Sequence, residues 1–370
     1  GRPIRFPRIK PRGRAPSRHL RRGPVPVVGG VSRGPFAAPR RHPRRRGAEQ
    51  QPGGDAWIEK TWPQLFQLAK YTLSLHDDAI RAKHPFPAQG LLVGPAEHDT
   101  CSYYGPFFSI NAWTWRGWTA LRRFVLDTDA VLPGAGAAFS ATLDARATTL
   151  SRALGAAVQA SLVRKGGKAF FLPPFAVMNA TPYSSMIERG APGSSGSSSY
   201  VGFRYWAEML SSGFFSESVA RAISDFRETH TGTLSGMTRF LDHLDDMPAE
   251  GYAFSAMALH RVDSFLALLF GHAANYQSRG VYNAPEQLSL YGDGVKGLWT
   301  YSDSYRAYLK GGKPGGEIDI DFCVPSTTLP ATMVRWMMLY EERDRDTIAL
   351  FRAAPRRFYR PGASAVIELA

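Results

Sequence analysis

In segment after segment between Trp57 and Tyr340, apolar residues recur three and four positions apart, the period of a helix buried along one stripe. Trp57, Ile58, Trp62, Leu65, Phe66, Ala69 and Leu73 form the first stripe, and Pro63 inside it predicts a kink or a restart. Pro106 suits the first turn of a second helix, whose stripe is Ile110, Trp113, Gly117, Ala120, Leu121 and Phe124. Phe108 and Trp115 lie off that stripe, so this helix is expected to be buried on more than one side. Residues 136–163 carry Phe139, Leu143, Ala147, Leu150, Leu154, Val158 and Leu162, with Gly166 and Gly167 expected to end the helix. Shorter helices are expected over 200–211 and 216–227. Phe254, Met257, Ala258, Phe265, Leu268, Leu269, His272 and Tyr276 read as one strong helix. Leu329, Met333, Trp336, Met337 and Tyr340 read as the last, capped by Ser326–Thr328 with Pro330 in its first turn.

About eight helices joined by long polar loops describe an all-α fold: helical hairpins in an (α/α) toroid whose functional loops gather at one end. Strand signals are sparse. The alternation from Glu317 to Phe322 suggests a short strand or extended rim with acids on one face, and Ala365–Ala370 looks like the opening of another strand. The run Gly193–Ser199 reads as a surface linker.

The net charge of +14 suggests nucleic acid until it is located. Residues 1–50 hold fourteen Arg and one Lys against Glu49 alone, so they carry all of it; the remaining 30 basic and 30 acidic groups cancel. The folded part is therefore not expected to bind nucleic acid. The basic segment, rich in Pro, Arg and Gly and without apolar periodicity, is expected to be disordered over 1–54. Its one apolar run, Val25–Val31, is broken by Pro26, Gly29 and Gly30 and does not form a signal-peptide core. No stretch approaches the roughly 18 apolar residues of a membrane helix. Cys101 and Cys323 fit no C-x-x-C or metal pattern, no G-x-S-x-G elbow or phosphate loop is present, and neither metal nor organic cofactor is expected.

The titratable loops hold the chemistry. Glu97 lies among Val93, Pro95, Tyr103 and Phe107, an apolar setting that would raise a carboxyl pKa by desolvation and suit a general acid. Glu97 and Asp99 also stand where they could cap the following helix. Glu286, flanked by Tyr282, Asn283 and Tyr291, is the matching candidate for a base. Asp245 and Asp246 are substitutes for it, or caps for the next helix, or cation ligands. Trp113, Trp115 and Trp118 are candidates for core or for sugar platforms.

Several motifs together resemble uncharacterised bacterial proteins of the six-hairpin glycosidase group: Gly94-Pro-Ala-Glu97-His-Asp99, Gly232-Thr-Leu-Ser-Gly-Met237, Leu244-Asp-Asp246-Met-Pro248, Ala274-Asn-Tyr-Gln-Ser-Arg279 and Pro285-Glu286-Gln-Leu-Ser289. Leu350–Tyr359 is similar to the end of the last hairpin in that group. The resemblance spans roughly 57 to 370. It implies an (α/α)6 toroid that hydrolyses glycosidic bonds of a plant or microbial oligo- or polysaccharide, commonly with inversion, and it implies β-domains on either side. Relative to that pattern the chain is short of helices and stops as a terminal β-domain would begin, so a fragment is expected: 55–360 as an incomplete toroid and 361–370 as the start of the missing domain. The candidate catalytic set is Glu97, Glu286 and Asp99. His98, Tyr104, Asn111, Trp115, Asp245, Asp246, Tyr282 and Gln287 are the substrate contacts. The alternatives are a polysaccharide lyase on the same toroid, with Tyr and His abstracting a proton, and a noncatalytic glycan-binding or structural remnant.

Overall fold

The computed structural model describes residues 54–95, 104–127, 136–187, 197–240, 243–277, 282–286, 288–289, 323–342 and 347–355. The chain separates into two units, Gly1–Gln51 and Pro52–Ala370, and every described residue belongs to the second. The expectations for the basic segment, for Glu317–Phe322 and for 361–370 lie outside the described residues.

The described chain is predominantly helical. Helix α1 (Gly54–Ala82) runs through Pro63, so the restart expected there does not occur. Pro63 and Glu59 are both exposed, and the Glu59 carbonyl that Pro63 cannot bond is left on a solvated face. Helix α2 (Phe108–Asp127) packs against α3 (Gly136–Ser161). In α3 the expected stripe is the buried one: Leu143, Ala147, Leu150, Leu154 and Val158 all lie inside. In α2 it is not. Trp113, Gly117 and Ala120 are exposed, while Phe108, Asn111, Ala112, Trp118 and Val125 face inward. Asn111 sets that register. Its Oδ1 accepts the Leu92 N–H (2.9 Å), and its Nδ2 donates to the carbonyls of Leu92 (3.0 Å) and Phe107 (2.8 Å), so a polar residue turns the helix toward the chain it fastens.

Gly166 and Gly167 do not cap α3. Both have positive φ, at 58° and 76°, and they form the two-residue turn between β3 (Val163–Lys165) and β4 (Lys168–Phe171), where Lys165 pairs with Lys168. β1 (Gly94–Pro95) and β2 (Tyr104–Gly105) form another antiparallel pair. The serine run is not wholly a surface linker: Ser197, Ser198 and Ser199 are buried, and the Ser197 hydroxyl accepts the Tyr200 N–H at the start of α4 (Ser198–Tyr200). A π-helical turn, Val201–Tyr205, continues into α5 (Trp206–Ser211), and α6 (Glu217–Thr229) follows.

The long helix expected around Phe254–Tyr276 is two helices, α7 (Ala249–Ala258) and α8 (Val262–Asn275). His260 at φ 57° breaks them apart, because a left-handed residue cannot continue a right-handed helix. The helix buried on more than one side is α7. Tyr252 belongs to one apolar cluster with α2, α3 and α5, while Phe254 and Met257 belong to a second with α8 and α9 (Val324–Met338). Pro325, not Pro330, occupies the first turn of α9, and Tyr340 lies in β9 (Leu339–Glu342), paired with β10 (Thr347–Leu350). Among the described residues no helix is long and apolar enough to cross a membrane.

A four-stranded antiparallel sheet is inserted among these helices, in the order β5 (Thr233–Leu234), β6 (Met237–Phe240), β7 (His243–Leu244), β8 (Leu288–Ser289). Ser235 (φ 51°) and Gly236 (φ 83°) make the β5–β6 turn, which lies directly on α8: a Cβ at Gly271 would stand 2.2 Å from the Ser235 carbonyl oxygen. Gly→Ala within a helix ordinarily stabilises by about 0.5–1 kcal/mol. Gly117 of α2, with nothing within 4 Å of an added Cβ, should behave that way. Gly271→Ala should instead lose about 1–3 kcal/mol through overpacking. Urea unfolding of the two variants against the parent checks the opposite signs.

His76 of α1 is buried against Trp118, with ring centroids 5.4 Å apart, and its Nε2–H donates to the Gly90 carbonyl (3.3 Å). Burial holds its imidazole below the ordinary value of 6.5, against the pull of the Gly90 hydrogen bond. Below that value the unfolded chain takes up a proton that the folded chain refuses. The stability His76 contributes is therefore complete above 6.5 and is lost as pH falls through the folded-state value. Thermal melts from about pH 7.5 to about pH 5 should show a smaller fall in Tm for His76→Gln than for the parent.

Candidate functional site

The β5–β8 sheet brings two distant segments together. β7 pairs with β8 through His243–Ser289 and Leu244–Leu288, so the Asp245-Asp246 turn lies beside the loop carrying Glu286. Nothing in local sequence joins them. The joining is done by a buried polar network.

Thr238 of β6 is its hub. The Thr238 N–H donates to Asp246 Oδ1 (2.7 Å), its carbonyl accepts the Asp245 N–H (2.9 Å), and its hydroxyl oxygen accepts Arg227 Nη2 (2.8 Å). The other Asp246 oxygen, Oδ2, accepts from His272 Nδ1 of α8 (2.8 Å). Asp245 Oδ1 accepts the Met247 N–H (3.1 Å). Asp245, Asp246, Thr238 and His272 have no solvent exposure at all. A carboxylate so placed is tolerable only with such donors around it.

One turn along α8, the Tyr276 ring stacks on His272 at 5.0 Å. Its hydroxyl donates to the Glu286 carbonyl (2.5 Å) and accepts the Asp246 N–H (3.3 Å), linking the two segments through a single oxygen. Burial, and then the charges of Asp245 and Asp246, push the phenol well above its ordinary range, so it remains a donor at any physiological pH. On the other side of the hub, the Arg227 guanidinium lies 3.5 Å from the centre of the Tyr252 ring, and the Tyr252 hydroxyl donates to the Gly202 carbonyl. Burial also raises the Tyr252 phenol.

The Glu286 loop is fastened at its other end as well. Thr327 of α9 accepts the Ala284 N–H on its hydroxyl (3.0 Å), and the Ala284 carbonyl accepts the Cys323 N–H (3.0 Å). Ala284 and Pro285 are buried, yet Glu286 is exposed, and Tyr282, at φ 58°, is 67% exposed. A carboxylate and an aromatic ring thus project from backbone that the core holds.

The expected site residues differ in where the structure puts them. Glu286 and Tyr282 are presented to solvent from this fixed loop. Asp245 and Asp246 are brought beside it, but fully buried: Asp246 accepts on both carboxylate oxygens, Asp245 accepts the Met247 N–H on one, and neither side chain caps α7, whose N-cap is Pro248. Asn111 is likewise buried and bonded to backbone, and Trp115 is half-buried edge-on to Phe214 at 5.1 Å. Tyr104 is exposed on β2. Glu97, His98, Asp99 and Gln287 lie outside the described residues, so the Glu97–Glu286 separation does too. Trp118 is core, and its Nε1 donates to Thr72. Among the described residues no group of three or more His, Cys, Asp or Glu could hold a metal ion.

Arg227, Thr238, His272 and Tyr276 were not singled out by sequence. One signal was present: His272 falls on the apolar stripe of α8 and Tyr276, one turn on, is its C-cap, and a polar group so buried must find a partner. No family model matches the chain, nor does any curated protein or solved structure.

If Tyr276 ties the segments together, Tyr276→Phe should cost about 1–2 kcal/mol from the loss of buried hydrogen bonds. Hydrogen exchange should speed up in residues 282–289 more than in α2 or α3. Uniform acceleration across the chain would assign Tyr276 to general packing.

Proposed function

We propose that the chain is a glycoside hydrolase-like domain built on the helical hairpins of an incomplete (α/α) toroid, with Glu286 as the carboxylate that activates water. One observation carries this reading. The backbone around Glu286 is fixed by Tyr276, by Thr327 and by the β7–β8 pairing, while its carboxylate stays accessible. Hydrolysis requires that combination, because a general base works only when it is held at the reacting centre. Tyr282 supplies an exposed ring for a sugar face from the same loop.

Glu97, which precedes α2 in sequence, is the matching acid in this proposal, and an oligo- or polysaccharide is the substrate. An inverting enzyme holds the two carboxyls about 6.5–9.5 Å apart to admit water between them. The lyase alternative needs a Tyr or His that reaches substrate. His272 and Tyr276, beside the loop, are buried and committed to Asp246 and Glu286, and so lend it no support.

Reducing-sugar release from a panel of plant and microbial glycans tests the proposal on the full chain. Glu286→Gln should lower kcat by about 100-fold or more on whichever glycan is cleaved, the usual scale for removing a general base. Because the side chain is exposed, Tm should stay unchanged. Undiminished turnover in Glu286→Gln would remove Glu286 from the chemistry. Release of an unsaturated product absorbing in the ultraviolet would point to elimination, and glycan binding without any turnover by the parent would point to a noncatalytic module.

A further inference from the structure

A pocket of about 330 Å³ opens between α6, α7, α8 and the β5–β6 turn, and Glu286 is not among its lining residues. Its volume is at the lower end for small-molecule sites, which run from about 300 to 1,000 Å³. Polar groups are set into a lining that also includes Ala256, Ala267 and Leu268. Hydroxyls come from Ser224, Thr233 and Ser264, and charges from Arg227, Arg261, Glu228 and Asp263.

The two arginines differ in their commitments. Arg261 is ion-paired with Asp225 (2.5 Å) and with Glu228 (2.6 Å). Arg227 has no ion pair within 4 Å among the described residues, although the charges of Asp246 and Glu228 act on it. Its side chain makes one hydrogen bond, to Thr238, and its Nε is buried with nothing to accept its proton. The residue is 5% exposed and one face of its guanidinium is covered by Tyr252. A guanidinium keeps its charge even there. A guanidinium in the wall of a pocket suits an oxyanion, to which its N–H groups can donate.

The remaining groups narrow the class. Glu228 and Asp263 would repel a doubly charged phosphate, but they accept hydrogen bonds from hydroxyls, as the serine and threonine hydroxyls also can. We infer that the pocket binds a small hydroxylated monocarboxylate, with its carboxylate on Arg227 and its hydroxyls toward Glu228, Asp263 and Ser264. The inference does not depend on hydrolysis at Glu286, since it is read by binding and not by turnover.

Isothermal titration of the full chain with gluconate, glucose and inorganic phosphate is the test. Gluconate should bind at least about tenfold more tightly than glucose or phosphate. Arg227→Gln should abolish the preference for gluconate over glucose. Should that variant not fold, Ser264→Trp, which fills the pocket from a half-buried position on α8, should abolish gluconate binding while leaving the fold intact by circular dichroism. Equal affinity for gluconate and glucose, preference for phosphate, or full gluconate affinity in folded Arg227→Gln or Ser264→Trp would overturn the inference.

Discussion

The Asp246 carboxylate is the constraint on which the site rests. An ion buried without exposure costs several kcal/mol in lost hydration unless donors surround it. Here the donors come from different parts of the chain: the Thr238 N–H from the sheet and His272 from α8. To satisfy Asp246, the turn after β7 must sit on α8 in one register, and Tyr276 is then in reach of both the Asp246 N–H and the Glu286 carbonyl. Loop placement that looks arbitrary in sequence follows from a requirement of electrostatics.

The helices make room for that network. α7 is buried nearly all round, which a helix tolerates when its residues are small or apolar, and Gly251 lets it approach α5: a Cβ there would lie 2.2 Å from the Ala207 carbonyl oxygen. One face of α7 places Tyr252 under Arg227, and the other packs Phe254 on Trp336 and Tyr340 of the second apolar cluster. The polar hub thus lies where two apolar clusters meet, fixed to both and exposed at Glu286 alone of its fastened loop segment 284–286. The β5–β6 turn on Gly271 closes one side of the pocket by the same means, backbone against backbone.

Sequence periodicity was a good guide where one face of a helix meets one apolar neighbour, as in α3, whose stripe was legible from Leu143 to Val158. It misled where polar residues choose the face. Asn111 rotates α2 toward Leu92, and no hydropathy pattern announces a carboxamide that bonds a neighbouring backbone. It also ran on through Leu259–Arg261, since the left-handed turn at His260 leaves the spacing of apolar residues almost unbroken. Gly166-Gly167 and Ser235-Gly236 carried a readable hairpin signal that was outweighed by the helices around them. Of the site, Glu286 and Tyr282 were legible as an aromatic-flanked acid in a loop. The role of Asp246 was not, because adjacent aspartates look alike in sequence whether they meet water or a buried histidine.

The coupling between Asp246 and His272 holds the network together, and a double-mutant cycle measures it most directly. Asp246→Asn, His272→Gln and the double variant would be unfolded in urea beside the parent. Contacting groups in one buried network are expected to be non-additive, with an interaction energy of about 1 kcal/mol or more, so the double variant should lose clearly less than the two single variants together. Additivity within about 0.3–0.5 kcal/mol, the behaviour of independent sites, would contradict the claim that this pair holds the Glu286 loop in place.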